Sequence, residues 1–188
     1  MNDSIRNLAW RLNWWRQSEL EGSLLLGRMV SLAGNADLCA KLTRHCAEEA
    51  AHSRIWNDTI QELGLPHIEI RRSYQSFYLR HTGLPASLLE VLAFTQIFER
   101  RVHRRFLEES NRSETPMAAK RAYTQMIEDE KNHLSWVAEW LAQHVHAASE
   151  MRRFETADRL VFEELFPYAN RLWEIPGLGR ACDERIEV

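Results

Sequence analysis

Residues 64–85 read GLPHIEIRRSYQSFYLRHTGLP, and they decide the fold because they interrupt an otherwise helical pattern. His67-Ile68-Glu69-Ile70 alternates only briefly, Tyr74, Phe77 and Tyr78 supply aromatic contacts, and Gly83 with Pro85 closes the stretch. It reads as a long crossover with a short helical piece, not as a strand of a sheet. Working outward, Ser4 to Ala33 places Leu12, Trp15, Leu26, Val30 and Ala33 at helical spacing. Asp37 is a plausible N-cap for a second helix from Leu38 to Leu63, stopped at Gly64. Beyond the crossover, Leu88, Leu92, Val102 and Phe106 predict a third helix over about Ala86–Ser110. A fourth starts near Pro116 and reaches about His146 on Tyr123, Ile127, Leu134, Val137 and Leu141. A fifth, shorter helix over about Arg152–Phe166 precedes an irregular tail. Short connections make each hairpin antiparallel, whereas a crossover of roughly 20 residues leaves the second and third helices parallel. The expected fold is therefore all-α: a four-helix bundle of two antiparallel hairpins, within about residues 4–146 of one domain spanning 1–188, plus a short C-terminal helix.

Composition narrows the function classes. With only 7 Gly and 5 Pro in 188 residues, a turn-rich sandwich or barrel is disfavoured, and 45% hydrophobic with 27% charged residues excludes a wholly disordered chain. No apolar run reaches bilayer length, and Arg6, Arg11 and Arg16 break up the first segment, so neither a membrane span nor a signal peptide is expected. A net charge of -3 provides no bulk attraction for nucleic acid. Cys39, Cys46 and Cys182 form no CxxC or zinc spacing, which points to a reducing cytoplasm.

Each inner helical stripe is interrupted near its middle by a carboxylate. Glu19 sits between Trp15 and Leu26, and Glu99 between Thr95 and Val102. The second stripe reaches Glu49 and His52, the fourth Glu130 and His133. Unpaired buried carboxylates cost several kcal/mol each, so four on facing stripes need protons or shared cations. Glu-x-x-His alone occurs about once by chance in a chain of this composition. The spacing says more: Glu19 precedes Glu49 by 30 positions and Glu99 precedes Glu130 by 31, almost symmetrically about each hairpin loop. Glu and His at i, i+3 share a helical face. Carboxylates can bridge two cations, and neutral imidazole suits iron, manganese or zinc. Glu49 and Glu130 are then the bridging residues, Glu19 and Glu99 terminal ligands, and His52 and His133 one ligand to each metal.

On Glu19, Glu49-Ala-Ala-His52, Glu99 and Glu130-Lys-Asn-His133, residues 5–146 resemble the ferritin-like di-iron carboxylate superfamily, which includes bacterioferritin, rubrerythrin, the tRNA hydroxylases and the aldehyde-deformylating oxygenases. The resemblance implies a ferritin-like bundle holding two iron ions, or manganese in one or both positions, that react with dioxygen or peroxide. It further implies a small-molecule substrate and an external electron donor, because the chain lacks paired CxxC motifs. Rubrerythrins tend to carry another Glu three residues after the third-helix ligand; Val102 stands there, which weakens a peroxidase reading. The leading expectation is an oxidase or oxygenase acting on an organic substrate. Ferroxidase or iron storage is the alternative, and a structural, partner-binding bundle a second.

Other residues carry weaker signals. Glu21 competes with Glu19, but its face is more mixed. Glu48 and Glu128 read as solvated, and His45 as a hydrogen-bonded core histidine more than a partner of the ligands. His103 shares that ambiguity, while His144 and His146 lie too far along the helix. Gly22 and Ser23 fit either a substrate gap or close helix packing, and Thr95 either a pocket wall or a self-capping hydroxyl. Tyr123 is a redox candidate that reads better as core. The run Arg100-Arg101-Val102-His103-Arg104-Arg105 reads as a solvated face paired with Glu108 and Glu109 rather than an anion, tRNA or protein site. Trp10, Trp14 and Trp15 suggest core packing or a homodimer interface.

Overall fold

The computed structural model describes residues 2–181. Among them six α-helices alternate with short connections: α1 (Asp3–Met29), α2 (Ala36–Glu62), α3 (Tyr74–Thr82), α4 (Leu88–Asn111), α5 (Met117–Leu141) and α6 (Ala147–Leu165). Two short strands, β1 (Ile68–Ile70) and β2 (Gly179–Ala181), pair antiparallel. No helix is long and apolar enough to cross a membrane among these residues.

The helix starts follow local chemistry. The Asn35 side chain accepts from Leu38 N at 2.8 Å, so Asn35 caps α2 and Asp37 lies inside its first turn, two residues from the expected position. Ser87 accepts from Glu90 N while Glu90 accepts from Ala86 N, two reciprocal contacts that start α4. The last helix begins at Ala147, five residues before the expected start.

Side chains meeting across the helices fix their directions. Ser23 Oγ donates to Cys46 O and Trp56 Nε1 to Glu19, so α1 and α2 run antiparallel. Trp15 meets Phe106 at 5.3 Å, and Arg11 pairs with Glu109 at 2.7 Å, which sets α4 antiparallel to α1. Glu62 pairs with Arg121 and His52 with Asp129, which sets α5 antiparallel to α2. Trp10, Trp14 and Trp15 are buried in the core that these helices enclose. Phe154, Ala157 and Val161 turn the apolar face of α6 onto the bundle, where Phe154 meets Phe94 at 5.5 Å.

The crossover and tail correct two expectations. Ile68–Ile70 is a strand, and the tail read as irregular supplies its partner, with Ile68 opposite Ala181 and Ile70 opposite Gly179. A Cβ at Gly179 would stand 2.3 Å from Glu69 O, so the close strand approach requires glycine. Periodicity missed this ribbon because three residues hold too little alternation and the partner lies over a hundred positions away. Cys182 and the rest of the tail lie outside the described residues.

Buried polar groups of α1 stitch the crossover down. Asn13 accepts from Ile68 N and donates to Pro66 O, each near 3 Å. Trp14 Nε1 donates to Arg72 O, and Gln75 Nε2 donates to Ser18 O at 2.7 Å. These bonds anchor the start of α3 against the middle of α1, where Glu19 sits.

Candidate metal centre

All six residues expected from the stripes converge. Glu19, Glu49, His52, Glu99, Glu130 and His133 are each at most 7% exposed. Their donor atoms form two groups: Glu19, Glu49, His52 and Glu130 in one, and Glu49, Glu99, His133 and His45 in the other. Within each group the atoms lie within 4.8 Å of one another, and Glu49 belongs to both. Glu130 also reaches both histidines, 3.7 Å from His52 Nδ1 and 3.4 Å from His133 Nδ1. The competitor Glu21 lies elsewhere, held by Gln17 and Ser73 at the start of α3.

The two Glu-x-x-His histidines are held alike from behind. His52 presents Nδ1 to the carboxylates while its Nε2 pairs with Asp129 at 3.3 Å; His133 does the same, with Nε2 2.9 Å from Glu48. A ring donating Nε2–H to a carboxylate keeps the Nδ1 lone pair facing inward, the tautomer a metal requires. Each supporting acid directly precedes a carboxylate of the cluster, Asp129 before Glu130 and Glu48 before Glu49, on the helix opposite its histidine. Glu48 was read as a solvated residue. It is half-exposed, with its head turned to His133 by antiparallel packing that sequence spacing along one helix does not display. Glu128 does face outward, paired with Lys131 at 2.7 Å.

His45 also departs from its core reading. It is 1% exposed, one turn before Glu49, with Nε2 3.0 Å from Glu99 and 3.5 Å from Glu49. Neither ring nitrogen meets hydrogen-bond geometry with a partner among the described residues, Nε2 facing the two carboxylates as an ion pair. The ring stacks on His133 with centroids 3.7 Å apart. The i, i+4 spacing to Glu49 was the available signal.

Electrostatics across the cluster are strained toward proton sharing. Burial, with the charges of Glu49 and Glu130, pushes the Glu19 carboxyl well above its usual range. Burial and the charges of Glu99 and Glu49 raise Glu130 to about 7. For the imidazoles burial opposes the proton, yet the carboxylates outweigh it: Glu99 and Glu49 raise His45 to about 10, and Glu130 with Glu99 raises His133 to about 9. Glu49 is held below its usual range by His45 and His52 despite its burial.

Among the described residues several buried atoms at this centre nevertheless lack a hydrogen bond: Glu49 Oε1, Glu99 Oε2, Glu130 Oε2, His52 Nδ1 and His133 Nδ1, besides both His45 nitrogens. Buried polar atoms are ordinarily satisfied, so a convergent set of orphaned donor atoms fits a bound cation. Gly22 adds a matching gap, since a Cβ there would stand 2.9 Å from Glu49 Oε2.

Cavities meet the cluster from two sides among the described residues. One of about 30 Å³, between α1 and α4, is walled by Gly22, Leu26, Phe94, Thr95, Phe98 and Val102 above Glu19, Glu49, Glu99 and Glu130. Thr95 thus lines a pocket, one of the two readings open for it. The other, about 380 Å³ between α2 and α5, reaches His45 and His133 past the charged side chains of Lys41, Arg44 and Glu48. Tyr123 is buried one ring away from the cluster, 5.1 Å from Trp56, which itself donates to Glu19.

The arginine run is only partly a self-paired face. Arg105 meets Glu108 and Glu109 as expected, but Arg101 forms a bidentate pair with Asp158 on α6. Arg101, Arg104 and Arg105 line, with Trp14, Trp15 and Tyr74, a cavity of about 350 Å³. No family model, curated protein or solved structure matches the chain.

Proposed function

We propose that this protein is a ferritin-like dinuclear-metal oxidoreductase that uses dioxygen to oxidise or hydroxylate an organic substrate. One observation carries the reading: four buried carboxylates and three buried imidazoles converge with unsatisfied donor atoms pointing inward. Four ionised carboxylates bear four negative charges, which two divalent cations balance. The antiparallel pairing of α1 with α2 and α4, and of α5 with α2, supports the ferritin-like part of the proposal.

Glu19, Glu49, His52 and Glu130 would hold one ion, and Glu49, Glu99 and His133 the other. Two reduced irons, or manganese in their place, would supply the electrons and Lewis acidity for dioxygen reduction. The chain's own part is to orient and exclude. Asp129 and Glu48 fix the tautomers of His52 and His133, and Trp56 Nε1 donates to Glu19 Oε1 at 3.1 Å, keeping that carboxylate aimed at the centre. Phe94, Phe98 and Val102 give the small cavity an apolar wall opposite the carboxylates, and its 30 Å³ is room for a diatomic gas or about two waters. An organic molecule needs more space. Trp15, one turn before Glu19, belongs to the 350 Å³ cavity, whose Trp14, Trp15, Tyr74 and Phe162 walls suit a flat, largely apolar substrate.

The deciding experiment is metal analysis of the purified protein combined with size-exclusion chromatography. About two iron or manganese ions per chain in a small oligomer is the expected result. Many ions per chain in a large assembly would favour storage, and a metal-free protein unaffected by Glu49→Ala would sink the proposal.

A further inference from the structure

We infer that His45 is a seventh donor to the centre and makes its two metal positions chemically unequal. The inference rests on the dinuclear reading above and goes beyond its six ligands.

The geometry around His45 is that of a donor shell. Two donors at right angles around an ion with bonds of about 2.1 Å lie about 3.0 Å apart, and at the tetrahedral angle about 3.4 Å. His45 Nε2 stands 3.0 Å from Glu99 and 3.5 Å from Glu49, and His133 Nδ1 stands 3.3 Å from Glu49. All three spacings match donors converging on one point. His45 Nε2 faces the Glu99 and Glu49 oxygens out of hydrogen-bond geometry, and Nδ1 has no hydrogen-bond partner among the described residues, in a ring that is 1% exposed.

The consequence is an asymmetry between otherwise mirrored hairpins. The position at Glu19, Glu49, His52 and Glu130 offers one nitrogen and three carboxylates; that at His45, Glu49, Glu99 and His133 offers two of each. Position 126, four residues before Glu130 and so the counterpart of His45 on α5, is Met126. Nitrogen donors favour ions later in the first-row series over manganese, so the His45 position takes cobalt or ferrous iron first, and manganese is better tolerated at the Glu19 position. The His45 position also borders the larger cavity between α2 and α5, where Lys41, Arg44 and Glu48 stand on the approach.

The test is cobalt(II) titration of the metal-free full-length chain. Wild type should bind about two equivalents and show three hyperfine-shifted, exchangeable imidazole N–H proton resonances by NMR. His45→Gln should weaken one equivalent at least about tenfold, keep the other, and lose one resonance. Should His45→Gln fail to fold, the resonance count on wild type decides alone. Two cobalt ions with only two imidazole resonances would overturn the role of His45 and leave the dinuclear reading intact. Failure of wild type to bind cobalt at all would overturn both.

Discussion

Replacing Gly22 by alanine separates the stability of α1 from the geometry of the site. In a helix interior the exchange favours the helix by about 0.8–1.0 kcal/mol. The new Cβ would stand 2.9 Å from Glu49 Oε2, more than about 0.5 Å inside an optimal contact of ~3.5 Å. Because the obstructing atom ends a side chain rather than belonging to the backbone, Glu49 turns aside and the helices stay packed. Scanning calorimetry on the metal-free variant should therefore show an unchanged Tm, or one raised by up to about 2–4 °C for a chain of this size. Metal affinity should move the other way. Glu49 belongs to both donor groups, so competitive titration with cobalt should show both equivalents weakened, by about 10- to 100-fold. A variant that melts several degrees lower and binds cobalt like wild type would refute the reasoning. It would assign Gly22 to close packing of α1 on α2, beside the Ser23 Oγ bond to Cys46 O.

Three further outcomes follow from the same geometry. Asp129→Ala and Glu48→Ala release the outer nitrogens of His52 and His133, and each should lower metal affinity about 10- to 100-fold with little change in metal-free Tm; unchanged titrations would mark both acids as surface residues. Glu109→Ala leaves the buried Arg11 without its 2.7 Å partner and should cost about 3–5 kcal/mol in denaturant unfolding, far from the candidate centre; a loss below about 1 kcal/mol would contradict it. The metal-free protein should lose stability as pH rises from 6.5 to 10. Imidazoles raised to about 10 at His45 and about 9 at His133 stabilise fully below 6.5 and lose that contribution as pH climbs through the folded values. Glu130, raised to about 7, acts with the same sign between 4.5 and 7, since the unfolded carboxyl ionises first. Metal binding displaces these protons, so thermal melts of the loaded protein should flatten across that window; a metal-free Tm that is level or rising would exclude the proton-sharing account.

What the linear chain determined is whatever repeats along a helix. Apolar spacing located the long helices, and the breaks at residues 34–37, 64–85 and 111–116 divided them, because burial of one face imposes a 3.6-residue period that survives without knowledge of the partner. The carboxylates Glu19, Glu49, Glu99 and Glu130 were visible as polar interruptions of those faces, and i, i+3 spacing attached His52 and His133. Tertiary structure decided everything that depends on which helix lies opposite. Asp129 and Glu48 become supports for histidines some eighty positions away only once α2 and α5 pack antiparallel. His45 changes from a core residue to a neighbour of Glu99 because α4 passes beside it, and Ile68–Ile70 becomes a strand only when the distant Gly179–Ala181 arrives. Periodicity reports that a face is buried. The choice of partner on that face belongs to packing, and packing turned six spaced residues into one enclosed cluster.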